Sequence, residues 1–386
     1  MGYEIYRFIV YMKNVFTIAI LLIFQNLFFV EILHAQEKKE NVFLHPDKFY
    51  KKFFPHFKIK RVPVDSLYIA AYPKYLSVAV HLLDPKIYLD IDPTGSKGAG
   101  KQASSRFRTS INTIVGFSGS YRFVTAGFAI ALKTNPEKSS PYAHTKYRTA
   151  TINYNSPKYS LQFKFIKLGG MTDVNELNNQ DTTRKYTPRK DITMKEYRFE
   201  GIYNFGWKRY SYIAPIDFTQ RQVKSRMGFL LKAGIYNNQL FSDSNLLSQR
   251  QRQYFEGFDK ITKMISYSVK LAPGVGGNFV FMKKFYLSAS IFVPYNLYFV
   301  RLYTADSHLE RKEASVQFVL DGIVSVGYQS KRFYAGIRYQ TDSKGAKMKY
   351  ISLTTMYSYI GFDVGYRFQT PKVVKRVYKK TMPPGM

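Results

Sequence analysis

The chain has no cysteine and a single tryptophan among its 386 residues. Without cysteine there is no disulfide scaffold, no iron–sulfur cluster and no thiolate zinc site. Acidic residues are scarce: 26 Asp and Glu face 58 Lys and Arg, which leaves a formal charge of +32. Long apolar runs are missing after the first thirty-five residues, so no later segment reads as a helical membrane span. What is abundant is tyrosine (33), phenylalanine (32) and apolar residues generally (45%), a composition too hydrophobic and too rich in strand formers for a disordered chain. A basic excess of this size ordinarily suggests nucleic-acid binding.

The N-terminus argues against that reading. Lys13 precedes the apolar run Val15 to Leu22, then Ile23 and Phe24, then Leu27 to Val30, and the stretch closes at Ala35. A basic flank, a short apolar core and a small terminal residue describe a secretory signal peptide over residues 1–35, with Met12 as an alternative start. Gln25, Asn26 and Glu31 interrupt the run, which disfavours an uncleaved anchor. Arg7 and Lys13 balance Glu4 and Glu31, so the exported chain keeps the whole basic excess. An exported protein meets lipid and envelope polymers and no nucleic acid.

After the signal the recurring pattern has period two. Ile360, Phe362, Val364, Tyr366 and Phe368 alternate with Tyr359, Gly361, Asp363, Gly365 and Arg367; Phe333, Ala335, Ile337 and Tyr339 alternate with Tyr334, Gly336, Arg338 and Gln340. One face is large and apolar and the other small or charged, as in a barrel strand between lipid and lumen or in a soluble exported β-sandwich whose apolar face packs inward, two folds that alternation alone does not separate. Aromatic residues gather near strand ends, as interfacial girdles require. The expected fold is all-β: a transmembrane, antiparallel, up-and-down β-barrel of twelve strands, within a range of twelve to fourteen. The strands fall near 74–82, 105–117, 121–132, 146–155, 158–168, 194–205, 208–236, 263–282, 284–303, 313–329, 331–342 and 350–368. With both termini in the periplasm, the long connections (83–104, 169–193, 237–262) fall outside and the tight turns inside. This parity requires 208–236 to be one strand with a bulge, where the apolar phase shifts between Phe218 and Met227. Pro215, Pro273 and Pro294 work against regular pairing in their strands. The domain plan is a signal peptide (1–35), a periplasmic segment (36–73), the barrel (74–368) and a basic periplasmic tail (369–386).

The basic excess is sided under this topology. The periplasmic turns contain Arg122, Lys158, Lys208, Arg209, Lys283, Lys284, Lys331 and Arg332 and no acid, while the outer loops are nearly neutral. Such a rim suits anionic lipid head groups, an anionic periplasmic partner or a cell-wall polymer; equally, it serves only to keep the turns in water. On the inward phase lie Lys164, Arg198, Glu200, Asp217, Lys232, Lys270, Asp321, Arg338, Asp363 and Arg367. They read either as an electrostatic filter or as pairs that hold a plugged cylinder together. Tyr366 and the strand-terminal Phe368 resemble the signal read by the barrel-assembly machinery. Catalysis has little support. Of six histidines only His81 sits in a strand, and no Ser can be assigned beside it from the sequence. Gly274-Val275-Gly276-Gly277 lacks the helix and Lys-Ser/Thr of a phosphate loop, and Asp173, Glu176 and Asp181 lack EF-hand spacing. No metal and no cofactor is expected.

Tyr72-Pro73, the strand Tyr75 to His81, Lys146-Tyr147, Gln222 to Gly228, Pro273-Gly274, Lys284-Phe285-Tyr286 and the closing Gly365-Tyr366-Arg367-Phe368 occur in an order that resembles the uncharacterised domain-of-unknown-function family 4421. The resemblance spans most of residues 60–368. It implies an outer-membrane β-barrel of a Gram-negative envelope and supplies no activity and no catalytic residues. The sequence therefore points to a non-enzymatic outer-membrane barrel, a narrow conduit or a structural envelope component. The alternatives are a periplasm-facing binding or assembly protein and a lipid-modifying barrel enzyme acting through His81.

Overall fold

The structure is a computed structural model and describes residues 63–94, 104–132, 143–174, 186–247, 252, 254–255, 258, 260–306, 309–318, 320–349 and 351–381. The signal peptide and most of the 36–73 segment lie outside the described residues. In chain order the strands are β1 (Ile69–Ala71), β2 (Tyr75–Pro93), β3 (Ser105–Arg108), β4 (Ile114–Tyr121), β5 (Val124–Ala131), β6 (Lys146–Asn155), β7 (Tyr159–Val174), β8 (Tyr186–Asn204), β9 (Gln220–Gln222), β10 (Arg226–Phe241), β11 (Lys263–Phe281), β12 (Phe285–Phe292), β13 (Tyr295–Tyr303), β14 (Leu309–Phe318), β15 (Asp321–Gln329), β16 (Phe333–Lys347) and β17 (Ile351–Gln369). A helix, α1 (Lys372–Thr381), occupies the region read as a basic tail. Residues 61–375 form one compact unit, whose boundary falls within α1.

Antiparallel pairing runs from β2 through β4, β5, β6, β7, β8, β10, β11, β12, β15, β16 and β17, and β17 pairs back onto β2. Twelve strands thus close a ring with no free edge, as the sequence predicts. Two members are interrupted. β12 and β13 are one strand broken at Val293-Pro294, and β14 and β15 one strand broken after Phe318. β11 meets β13 up to Leu271 and β12 from Gly274, so Pro273 lies at the gap where that ladder is already broken. Its missing N–H therefore costs no ladder bond on this side.

Three expectations are corrected. Residues 208–236 are not one bulged strand: β10 starts at Arg226, and 205–225 leave the ring altogether. Gly206-Trp207 accordingly opens a long inturned segment rather than a tight turn. The strand expected at 105–117 divides into β3, which pairs outside the ring path with β2 and β7, and β4. The outer loops are shorter than expected because β2 runs on to Pro93, β7 to Val174 and β8 begins at Tyr186.

These extensions escape a simple pattern because the strands reverse their amphipathicity. Along β2 the outward residues are Leu76, Val78, Val80 and Leu82, then Asp84, Lys86, Asp90 and Asp92, while the inward ones change from Ser77, Ala79 and His81 to Ile87, Leu89 and Ile91. On β7 the switch falls between Phe165 outside and Ile166 inside, with Lys167 turned out. β17 likewise buries Ile351 and Leu353 inside but presents Ile360, Phe362, Tyr366 and Phe368 outward. The exposed apolar side chains form a continuous outer band of the kind a transmembrane barrel shows to lipid. From Phe368 to Ile360 it covers about 26 Å along the strand at about 3.3 Å per residue, or about 20 Å along the axis at a tilt near 40°. Its edge at the short-turn end carries a chain of ring contacts, Phe279–Phe281–Phe285–Tyr328–Phe333, with centroids 5.2 to 6.3 Å apart. Beyond the band's outer edge the wall is that of a soluble barrel. Its inward Ile87, Leu89, Ile166, Met194, Val300 and Leu353 pack with Phe107, Leu246, Phe255 and Phe258 from the connections. No helix among the described residues is long and apolar enough to cross a membrane.

A candidate site inside a three-layered lumen

The layer at the short-turn end of the barrel is the inturned segment 205–225. It has little secondary structure, so its backbone polar groups need partners from elsewhere. The wall provides them. Asn204 Nδ2 donates to Tyr210 O (2.8 Å), Asn278 Nδ2 to Ser211 O (2.8 Å), Gln329 Nε2 to Ala214 O (2.7 Å) and Arg338 Nη1 to Ile216 O (3.4 Å). Arg367 donates to Phe218 O from both Nη2 (2.6 Å) and Nε (3.0 Å). Phe218 has a left-handed backbone (φ 60°) and stacks on Tyr334 with centroids 4.3 Å apart. β9 then pairs with β1, so the described part of the N-terminal segment joins the plug. Gly228 and Gly276 explain two sequence glycines: a Cβ at either would collide with the Tyr210 ring or hydroxyl.

Of the inward-phase charges, Asp217 belongs to this plug and not to a strand, a correction that follows from the loss of the long bulged strand. It accepts from Asn155 Nδ2 (2.5 Å) and from Thr219 N (3.0 Å) and Oγ1 (2.8 Å). Burial pushes its carboxyl up to about 6, against the opposing pull of those donors and of Arg367.

The middle layer is ionic. Lys344 pairs with Glu196 (2.6 Å), Glu196 with Arg198 (2.7 Å) and Arg198 with Asp342 (2.7 Å). Lys270 bridges Asp342 (3.3 Å) and Asp321 (2.8 Å), and Lys232 reaches Asp321 (3.4 Å). Glu200 lies 3.6 Å from Arg198 and accepts from the Tyr236 hydroxyl. Four cations thus alternate with four carboxylates in one network. Lys164 stands opposite Arg198 in the β7–β8 register. Glu196, Asp342 and Lys344 are the members absent from the sequence-based set. Glu196 shares the inward phase with Arg198, but Lys344 lies in what reads as an outer loop.

A second cluster sits on three adjacent strands, β4, β2 and β17. His81 Nδ1 is 2.6 Å from Asp363 Oδ1, His81 Nε2 is 2.8 Å from Ser118 Oγ, and Arg338 Nη2 is 2.9 Å from Asp363 Oδ2. His81 therefore does have a serine beside it, one the sequence does not reveal because the partners lie 37 and 282 positions away. The inner wall facing it is small and polar. Ser118, Gly127, Thr151, Asn153, Gln162 and Lys164 are all half-buried, whereas Ile114, Ala129 and Tyr147 above and Ser120, Thr125 and Asn155 below are buried. The residual exposure of these side chains marks a polar-walled chamber between the plug and the apolar outer layer. In that outer layer a pocket of about 50 Å³ opens between Leu89, Met194, Leu240, Met264, Tyr298 and Leu353.

The rim cations all stand at the short-turn end, several over aromatic rings: Arg122 over Tyr121, Lys158 over Tyr203, Lys208 over Trp207 and Lys284 over Tyr328, at 5.4 to 6.0 Å. Arg209 belongs to the first turn of the plug and pairs with Asp65 (3.2 Å). Lys283 and Arg122 occupy left-handed turn positions, and Lys331 and Arg332 form the β15–β16 turn. Arg332 Nη1 reaches the Tyr366 hydroxyl (3.5 Å), and Tyr366 packs on Phe368 with centroids 4.8 Å apart on the outer band. No group of three or more metal-ligating side chains occurs among the described residues. Asp173 lies in β7 near Ser105, and Glu176 and Asp181 lie outside the described residues.

A closed antiparallel barrel with an apolar outer band and a filled, layered interior defines the class. The chain belongs to the family described as "Domain of unknown function (DUF4421)", whose match covers residues 63–368. No curated protein matches the chain. Among solved structures it is similar to the translocator domain of the autotransporter NalP from Neisseria meningitidis, with 11% identity, TM-score 0.37 and coverage of 76% of this chain and 88% of that one. It is also similar to outer-membrane expressed OmpT of Vibrio cholerae (11%, 0.28, 78% and 100%) and to the P. putida toluene transporter TodX (6%, 0.27, 78% and 91%).

Proposed function

We propose that this protein is an outer-membrane β-barrel of a Gram-negative envelope, closed at rest and acting as a structural component of that envelope rather than as an open pore. The observation that carries this reading is the plug. Five wall side chains from five strands donate to carbonyls spread along 210–218, so the periplasmic mouth is occupied by a segment the wall is built to hold. The paired charges above it favour a rigid cylinder over an ion filter, because Lys344, Arg198, Lys270 and Lys232 each already face a carboxylate. The basic rim and the aromatic girdle then seat the barrel against lipid, with an anionic head group or cell-wall polymer as the counter-charge below. Barrel-assembly machinery would read the outward Tyr366 and Phe368. Planar-bilayer recording tests the reading. Folded, inserted protein gives no sustained conductance, and a variant with 207–219 replaced by a short Gly-Ser linker shows more current than the intact chain. Steady, discrete openings of the intact protein would overturn it.

A further inference from the structure

We propose that Ser118, His81 and Asp363 form a nucleophilic site that cleaves small acyl esters inside the barrel. Asp363 is paired with the Arg338 guanidinium and can only accept, so the proton of the His81 ring sits on Nδ1 (2.6 Å to Asp363). The Nε2 lone pair is left facing the Ser118 hydroxyl at 2.8 Å, so the hydroxyl donates to it. Nucleophile, base and orienting carboxylate are thus in the sequence of contacts by which a serine is activated. Neighbouring strands fix them. His81 and Asp363 are directly opposed in the β2–β17 register, and Ser118 opposes Ala79, two residues from His81 on the same face.

The surroundings suit a ligand. Across β4–β5, Ser118 faces Gly127, and Gly116 and Ala79 flank the cluster, so no bulky side chain covers the hydroxyl. His81 retains 18% of its side-chain exposure within the chamber, while Asp363 retains 1%. One layer outward, Leu83 and Ile114 face each other and begin the apolar half, a surface for the acyl portion. Toward Thr151, Asn153 and Gln162 the wall is polar and suits the alcohol portion. In the reaction the Ser118 oxygen bonds to the carbonyl carbon as its proton passes to His81 Nε2. The bond from that carbon to the alcohol oxygen then breaks, and the alcohol leaves with the proton. Water repeats the cycle on the acylated serine, releasing the carboxylic acid and restoring the hydroxyl.

A small alkyl fluorophosphonate tests this on the full chain in lipid vesicles, with the labelled residue located by peptide mass spectrometry. Ser118 should be labelled, Ser118→Ala should lose the label, and Ser120→Ala, whose hydroxyl is bonded to Thr125, should retain it. His81→Gln should slow labelling at least a hundredfold, the contribution of a positioned base. Asp363→Asn, whose amide can donate to His81 Nδ1 and turn the ring proton onto Nε2, should slow labelling at least a hundredfold in folded protein, and Asp363→Glu, which still accepts from Nδ1, should recover part of that rate; a purely structural role would leave labelling of the folded protein unchanged. The plug limits access, so Arg367→Gln, which loosens it, should speed labelling. A heat-modifiable gel shift establishes that each variant is folded. Folded intact protein and folded Arg367→Gln that both resist the probe at Ser118, or labelling indifferent to His81, would overturn the proposal. Conductance plays no part in this readout, so its outcome is separate from that of the closed-barrel reading.

Discussion

Replacing Ile337 by lysine discriminates lipid from water at the outer band. Ile337 is 51% exposed, faces outward from β16, and lies between the outward Ala335 and Tyr339 and beside Val326 and Phe362 of the neighbouring strands. If this face met water, the substitution would remove almost no buried surface and change stability by less than about 0.5 kcal/mol. In lipid the geometry sets a different cost. Each residue climbs about 2.5 Å along the membrane normal, so Thr341, the first polar outward position above, is about 10 Å away and the Arg332 turn below about 13 Å away. A lysine stem shortens these distances by snorkelling but does not close them, which places the ammonium near mid-depth at a cost of about 2–4 kcal/mol. Ser343→Lys, on the same face but beyond the band, serves as the control and should be near neutral. Reversible urea titration of the protein in phospholipid vesicles measures both. If Ile337→Lys and Ser343→Lys unfold at the same midpoint as the unmodified chain, the lipid-facing assignment of the band is wrong.

Other expectations follow from the interior. Lys270→Met leaves Asp321 and Asp342 short of a shared cation in a site where Lys270 is 1% exposed, and should cost about 3–5 kcal/mol; adding Asp321→Leu should recover part of that loss in a double-mutant cycle. Plug docking should depend on pH through Asp217, which faces Asn155 of β6, Thr219 of its own segment, Arg367 of β17 and Tyr334 of β16. Its pKa is raised from 3.8 to about 6, so docking is most favourable below about 4 and loses up to roughly 3 kcal/mol as pH rises through 6. Trypsin cleavage at Arg209, Arg221 or Lys224 should therefore accelerate from pH 5 to pH 7.5 relative to a peptide control, and Asp217→Asn should abolish that difference. Gly276→Ala, which forces Tyr210 from its seat, should increase the same cleavage at every pH.

Period two was enough to mark most of the ring, because inside the lipid band every strand has one solvent-like face and one lipid face. It misleads in two places, for different reasons. Tyr210, Tyr212, Ala214, Ile216 and Phe218 alternate as a strand does, yet they sit in turns whose side chains fill the mouth. Nothing local separates a plug that packs against a barrel from a strand that belongs to it. Beyond the band, Asp84, Lys86, Asp90 and Asp92 read as an outer loop because the charged face has changed sides, although the backbone continues in register with Ile351 to Ile360. The Ser118–His81–Asp363 contact was illegible for a third reason. Three single residues carry no spacing signal, and only ring closure between the first and last large strands brings His81 to Asp363.

The reversal of faces along the strands also fixes how deep the protein floats. Sliding the barrel inward would drag outward charges such as Asp84, Lys86 and Lys167 into hydrocarbon, and sliding it outward would wet Ile360 and Leu82. Its draught is therefore set to within about one residue pair. The band is not level: on β17 it is about 20 Å tall, whereas on β12 and β13 the exposed apolar side chains run from Phe285 to Phe299, about 35 Å by the same geometry. Lipid must therefore thin against the short face and not against the tall one, and each Å of mismatch costs a fraction of a kcal/mol. That penalty falls when the short faces of two barrels share one thinned patch, so the lopsided waistline gives any clustering a preferred side.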